Sequence, residues 1–315
     1  MNKKASPVFA CLFILLFAAS CAPEKKTLTI AEQYGLAYAP LQILKEKRIL
    51  EDLLPGTEIR WVQMDNTAAI REAVVAGKID AGCLGIPPFL IGRDKGMEWK
   101  IISGLSRSPV ALVADSRKLA SLEAVTDGMR VALPQPGSIQ HILLSMALER
   151  SGENPKKLDG QLVTLNHPDG MAALLSGGVE AHFTAPPYLF QEIASESEGT
   201  RPYRVIVSGN DAFGGEYSFI VAMACERFLK AQPADAEKLR TAISGAIDFL
   251  DRNPDESAEI LARMYGMDET IIRDFLSREG MAYSTEVEGL DRFISFMAAQ
   301  GYLKSAMQAR EVLYP

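Results

Sequence analysis

The sequence predicts an α/β protein of two lobes, and three observations carry the prediction. From Thr27 onward, short runs suited to strands alternate with segments suited to helices, the pattern of sheets covered by helices. The same strand–loop–helix plan recurs at a spacing of 100 residues, with Asn66 matching Asn166 and Gly77 matching Gly177. After Cys225 the pattern turns helical.

The chain opens on an export signal over residues 1–20. Lys3 and Lys4 form a basic start, Val8 to Ala19 is an unbroken apolar run, and Ala18-Ala19-Ser20 leads into Cys21. That core is too short to stay in a bilayer as a spanning helix. Small residues before a cysteine resemble a bacterial lipobox, with cleavage before Cys21 and a palmitate-type acyl chain on its sulfur. Ala18 stands where Leu is commoner, and an ordinary secretory signal or a short anchor, with Cys21 incidental, is the alternative. A lipid on Cys21 would hold a soluble domain to a membrane face outside the cytoplasm. Residues 21–26 read as a short polar tether.

Leu28 to Ile30 is the first strand, followed by a loop and a helix opened by Pro40, a residue well suited to the first helical turn. Ile59 to Val62 is the next strand, Asn66 caps a helix that Gly77 stops, and Ile79 to Leu84 is a third strand running into Gly85-Ile86-Pro87-Pro88. In the second copy Ala73 matches Ala173, Ile79 matches Val179, Asp80 matches Glu180, Ala81 matches Ala181 and Pro87 matches Pro187. With a two-residue shift, Gln33 and Gly35 match Gln135 and Gly137. From Ser138, the residues Ile139, Ile142, Leu143, Met146 and Ala147 fall on one helical face.

Arg204 to Val207 and Tyr217 to Ala224 read as strands separated by a Gly214-Gly215 turn. Helices then follow over Ala234–Arg252, Pro254–Met264, Asp268–Arg278 and Glu286–Gln300, with Pro233 and Pro254 at starts and Gly280 and Gly301 at ends. This last part completes the first lobe. The expected division is 27–107 plus 208–315 for lobe 1 and 108–207 for lobe 2, with crossovers near Ser106–Pro109 and Val207–Phe213.

Composition excludes several functions. Formal net charge is −7, loss of Lys3 and Lys4 makes it more negative, and no basic stripe offsets it, so nucleic acid is not a partner. His141, His167 and His182 share no metal-binding spacing with one another or with the cysteines. No P-loop, dinucleotide fingerprint or Gly-x-Ser-x-Gly occurs, so neither a catalytic residue nor a cofactor is assigned. His182 reads as a core residue. Cys83 and Cys225 could pair in an oxidising compartment, but their apolar runs point to buried free thiols.

What the plan does offer is loops at the carboxyl ends of parallel strands, the edge where open α/β sheets bind ligands. Helix starts there present N–H groups suited to anions. The first lobe supplies Gln33, Tyr34, Tyr38, Asn66, Gly85, Ile86 and Pro87. The second supplies Gly137, Ser138, Gln140, His167, Asp169, Thr184 and Tyr188. Turn and cap duty is the plainer reading of many of them. The set holds Tyr34, Tyr38 and Tyr188 and no arginine, which leaves both an anionic and an uncharged aromatic ligand open.

The segment from Ala31 to Leu41, Gly77-Lys78-Ile79-Asp80-Ala81-Gly82, Gly85-Ile86-Pro87-Pro88 and Pro136-Gly137-Ser138 together resemble the solute-binding proteins of nitrate/sulfonate/taurine-type ABC transporters. The resemblance covers Thr27 to Glu192 well and the helical tail loosely. It implies the type II periplasmic-binding fold, capture of a small-molecule solute between closing lobes, and delivery to a permease with its ATPase. Relatives on this fold also take thiamine-pyrimidine precursors or riboflavin, and a few are enzymes; the Cys-Cys-Cys-Phe-Cys motif of the thiamine-pyrimidine synthases is absent here. A lipoprotein sensor handing ligand state to a membrane kinase is a further alternative. One test follows from the N-terminus: Cys21→Ser should release the protein from the membrane fraction, and unchanged retention would overturn lipidation.

Overall fold

The structure is a computed structural model that describes residues 26–33, 35–195, 200, 202–305 and 307–315. The signal over residues 1–20, Cys21 with the tether up to residue 25, and Tyr34 lie outside the described residues.

Eleven strands are present among the described residues: β1 Thr27–Glu32, β2 Glu58–Gln63, β3 Ala81–Gly85, β4 Trp99–Arg107, β5 Ala111–Asp115, β6 Val131–Leu133, β7 Leu162–Thr164, β8 Ala181–Thr184, β9 Tyr203–Ser208, β10 Ile220–Cys225 and β11 Ala282–Tyr283. They form two sheets, ordered β11-β4-β10-β3-β1-β2 and β7-β6-β8-β5-β9. In the first sheet β1, β2 and β3 are parallel and β10 runs antiparallel between β3 and β4. In the second, β6, β7 and β8 are parallel and β5 runs antiparallel between β8 and β9. The recurrent sequence plan therefore becomes a recurrent sheet order: β2-β1-β3 and β7-β6-β8 are the same triad.

Burial explains where each strand sits. β3 and β10 are buried at every residue, as central strands covered on both faces must be, whereas β2, on the edge, is half-buried or exposed throughout. Cys83 in β3 and Cys225 at the end of β10 are buried free thiols. The chain leaves the first sheet at Arg107, enters the second at Ala111, leaves it at Ser208 and regains the first at Ile220.

The helical tail braces the first sheet. The Pro233–Arg252 helix turns Leu239, Ala242, Ile243, Ala246, Ile247 and Leu250 inward, and it packs on the Ala39–Glu46 helix and on β4. The Ile139–Arg150 helix departs from its one-faced pattern. Every residue from Ile139 to Leu148 is buried, because the helix is covered by the Ile86–Asp94 and Gly209–Phe213 helices as well as by the second sheet.

Three boundaries differ from the sequence reading, each for a local reason. Gly214 is not a hairpin turn; at φ +82° it ends the short Gly209–Phe213 helix. β10 begins at Ile220 rather than Tyr217, since Tyr217 is taken into an aromatic cluster with Phe213 and Phe293. The last long helix spans Leu290–Ala299 rather than starting at Glu286, because residues 282–288 lie extended along β4. Ala282 and Tyr283 pair with Arg107 and Ser106, and the Gly104 N–H donates to the Thr285 carbonyl at 2.8 Å. Gly289, at φ +79°, turns the chain from that edge into the helix.

Gly104 makes this edge possible. A Cβ there would lie 2.0 Å from the Glu286 carbonyl oxygen and 2.7 Å from that of Ser284, both backbone atoms with nowhere to go. Gly104→Ala should therefore lower unfolding stability by about 2 kcal/mol or more, read by urea melts; an unchanged midpoint would mean the 282–288 segment does not dock as described.

Candidate functional site

Between the two sheets lies a cavity of about 60 Å³. Its walls are the segments that follow the carboxyl ends of both parallel triads. Gln33, Tyr38, Asp65, Thr67, Gly85 and Phe219 come from the first sheet's side, and Ser138, Ile139, Gln140, Asn166, His167 and Pro186 from the second's. Two hydrogen bonds join the sides: the Leu36 N–H donates to the Pro186 carbonyl at 3.1 Å, and the Ala68 N–H donates to Gln135 Oε1 at 3.2 Å.

On the first wall, Gln33 Nε2 donates to the Tyr38 hydroxyl at 3.0 Å and reaches the Cys83 carbonyl at 3.4 Å. Burial pushes the Tyr38 hydroxyl well above its ordinary pKa, so it stays neutral. Burial also raises the Cys83 thiol, helped by nearby Glu32, which makes it a poor nucleophile. Gly85 lets the walls meet: a Cβ there would touch the Cβ of Ile139 at 3.3 Å.

Helix starts contribute to both walls, and they are not equivalent. The Ile86–Asp94 helix begins Ile-Pro-Pro and so lacks two first-turn N–H groups. The His167–Leu175 helix has Pro168 in its first turn, and its Asp169 N–H is taken by the Asn166 side chain at 2.9 Å. At the Thr67–Val75 helix, Asn66 takes the Ala69 N–H while Gln135 takes that of Ala68. The Ile139–Arg150 helix differs. Ser138 Oγ accepts the His141 N–H at 3.3 Å, and the N–H groups of Ile139 and Gln140 have no acceptor within the helix. Both residues line the cavity.

His167 stands beside them. Its Nδ1 meets Thr184 Oγ1 at 3.0 Å, its Nε2 lies 3.4 Å from Gln140 Nε2, and Tyr188 stacks on its ring at 5.8 Å. Loss of solvation, with His182 nearby, lowers its pKa to about 3, so the ring is neutral. The consistent tautomer places the proton on Nδ1, donating to Thr184, and leaves Nε2 to accept from Gln140. Behind it, His182 Nδ1 and Glu192 Oε1 are 2.6 Å apart and both side chains are fully buried. Burial alone raises Glu192 to about 9 and lowers His182 to about 3, which makes them a neutral pair with the Glu192 O–H donating. Gly170 is what allows the helix over this pair, since a Cβ there would be 2.3 Å from His182 Nε2.

Of the residues expected at the site, Gln33, Tyr38, Gly85, Ser138, Gln140 and His167 line the cavity. Thr184 and Tyr188 stand behind His167. Asn66 is a helix cap, Asp169 is exposed, and Ile86 and Pro87 are buried outside the lining. His167 is the first residue of its helix rather than a loop residue. The reading of Gly137 as an open amide needs correction. Its N–H donates to His141 Nδ1 at 2.9 Å, its φ is +80°, and a Cβ would meet Ile91 Cδ1 at 2.8 Å. Gly137 is thus required by the backbone turn and is unavailable to a ligand. Asp65 and Thr67 escaped notice although they flank the anticipated Asn66, a signal that could have found them. Phe219 and Ile220 approach from the far end of the chain and left none.

Comparison with known proteins agrees with this fold. Residues 21–266 match the NMT1-like family. A protein of Escherichia coli (strain K12) named for binding aliphatic sulfonates is 27% identical over 274 residues, covering 84% of this chain and 80% of its own length. The alkanesulfonate-binding protein of Xanthomonas axonopodis pv. citri, solved bound to MOPS, superposes with a TM-score of 0.77 at 22% identity over 93% of this chain and 99% of that one. The periplasmic nitrate-binding protein of Synechocystis PCC 6803 superposes with a TM-score of 0.73 at 17% identity, covering 92% and 86% of the two chains.

The buried pair behind the cavity sets a pH dependence. Glu192 holds its proton more tightly folded than unfolded, so from pH 4.5 to about 9 its contribution falls as pH rises. The two histidines do the opposite, losing stability as pH drops from 6.5 toward about 3. Above pH 6.5 only the Glu192 effect remains of these three. The melting temperature should fall by several degrees between pH 6.5 and 9, and Glu192→Gln, a permanently neutral donor, should flatten that fall. Equal slopes in both proteins would overturn the neutral-pair assignment.

Proposed function

Since the chain belongs to the NMT1-like family, we propose that it is the extracytoplasmic solute-binding receptor of an ABC importer, taking a small sulfonate or related oxyanion between two lobes. The lobes are residues 27–107 with 208–315, and residues 108–207. The observation that carries the reading is the cavity between the sheets, with the open first turn of the Ile139–Arg150 helix on its wall. An oxyanion accepts hydrogen bonds and has none to give. The N–H groups of Ile139 and Gln140 and the Ser138 O–H are donors, and the positive end of the helix macrodipole adds to them. The Escherichia coli relative and the Xanthomonas neighbour, both named for sulfonates, support the same class.

The volume agrees with a compact headgroup. A cavity of about 60 Å³ holds several waters when about 10–15 Å³ admits one. Binding without turnover fits the side chains present: the cavity's histidine is neutral, and Cys83 is buried with its pKa raised. Lipid on Cys21 would hold the receptor beside its permease and ATPase, and no resident cofactor is required.

Ser138→Asp is the test. Aspartate caps a helix about as well as serine, but its carboxylate would stand where the oxyanion docks. Calorimetry with ethanesulfonate should show affinity falling roughly a hundredfold, a change of about 2.7 kcal/mol, with a thermal melt reporting that the variant is folded. Unchanged affinity in a folded variant would overturn the docking site.

A further inference from the structure

The edge of the first sheet away from the solute cavity carries features that solute capture does not use. β1, β3 and β4 start there and β10 ends there. The Asp80 N–H donates to the Thr29 carbonyl and the Cys225 N–H to the Asp80 carbonyl, both at 2.8 Å, and Cys225 pairs with Trp99. Against that edge lies an open cavity of about 330 Å³ lined by Val74, Val75, Lys95, Met97, Glu98 and Arg227. Val75 ends the Thr67–Val75 helix and is 75% exposed, more than any other large apolar side chain among the described residues. Charge here runs against that of the whole chain. Lys78, Lys95, Arg227 and Lys230 outnumber Asp80, Glu98 and Glu226, in a protein of formal net charge −7. Arg227 pairs with Asp80 at 2.7 Å and Lys230 with Glu226 at 3.0 Å, which leaves the exposed Lys78 and Lys95 against Glu98.

The tether decides what this edge meets. Residues 21–25 span at most about 18 Å even when fully extended, and β1 begins at Thr27 on the same edge. β3 and β10 lie between β1 and the start of β4, so at about 4.8 Å per strand the cavity opens roughly 10–15 Å to the side of the tether. A lipid on Cys21 keeps this edge near the bilayer and leaves the solute cavity at the opposite edge. We propose that the amino edge of the first sheet is a membrane-seating surface, where the phosphate of an anionic phospholipid headgroup enters between Lys95 and Arg227 and Val75 rests in the interfacial layer. The inference rests on the lipid on Cys21 proposed above and goes beyond it by giving the receptor a fixed orientation: lobe 1 sits on the bilayer and lobe 2 swings. A weak surface suffices, because the tether supplies a high effective concentration of membrane. Leu175 is the contrast. It matches Val75 at the spacing of 100 residues and ends the His167–Leu175 helix, 38% exposed, but it belongs to the lobe without the tether.

The test is bromolipid quenching on the full chain, purified with its lipid and reconstituted into vesicles of phosphatidylethanolamine and phosphatidylglycerol. Val75→Trp should lose fluorescence to brominated acyl chains, beyond the background of Trp61 and Trp99 read in the parent protein, and Leu175→Trp should not. The added quenching should shrink from about 0.1 M to about 1 M salt, as the Debye length drops from about 10 Å to about 3 Å. Lys78→Glu combined with Lys95→Glu should lower the ratio of seated to unseated protein about fivefold or more. Equal quenching at the two positions, or none at either, in protein that stays with the vesicles would overturn the seating surface and leave the anchor standing. Quenching of Val75→Trp that ignores both salt and the lysine exchanges would overturn the headgroup contact. Protein that does not float with the vesicles would overturn the lipid on Cys21 and this inference with it, while ethanesulfonate binding by the same protein would keep the receptor reading intact.

Discussion

Two antiparallel strands hold this architecture together. β10 lies between β3 and β4 although the chain reaches it only after completing the second sheet, and β5 lies between β8 and β9 directly after the first crossover. Each is buried along its whole length. An unpaired backbone group in such a position would cost a full desolvation penalty, so the first sheet cannot be finished until the chain returns from the second, which is built wholly from residues 111–208. The two sheets are therefore connected by two segments. What is functional follows from that connection: the carboxyl ends of both parallel triads are brought to one cavity, and the helix starts come with them.

Asp65 aside, the ionisable side chains at that cavity are neutral. Burial keeps Tyr38 protonated and His167 and His182 unprotonated, while Glu192 retains its proton behind the wall. Selection among ligands then depends on which backbone N–H groups remain free, and prolines decide most of that. Pro87, Pro88 and Pro168 remove donors from two helix starts, and Asn66, Gln135 and Asn166 consume others. The turn at Ile139 and Gln140 survives because Ser138 caps only the third position.

How much of this was legible depends on whether a residue's duty is local. The matched pairs Asn66/Asn166 and Gly77/Gly177 act within their own helix ends, and they led directly to the paired triads. Helix starts at Ser138 and Pro233 were visible for the same reason. Residues 282–288 were not, because Val287 and Leu290 continue a helical spacing while the pairing that overrides it comes from β4, far away in sequence. Gly137 shows a subtler failure: a glycine that admits a ligand and a glycine that supplies φ +80° look identical in one dimension. Asp65 was hidden by its neighbour, since Asn66 already explained why the chain turned there.

The two hydrogen bonds across the cavity, from Leu36 to Pro186 and from Ala68 to Gln135, bear on energy as well as geometry. Each is neutral, and a bond of that kind is worth about 1 kcal/mol net. Packing between the Ile86–Asp94 and Ile139–Arg150 helices and the Ser145–Tyr302 hydrogen bond at 2.8 Å hold the same two sides, so these two bonds are a small part of the total. In a receptor that binds only when shut, measured affinity is the intrinsic affinity of the shut cleft scaled by the fraction of time the cleft is shut. Gln135 sits on that scaling factor. Its side chain takes the Ala68 N–H, so exchanging it would shift the balance between shut and open, and with it the apparent affinity for every solute that leaves Ala68 untouched.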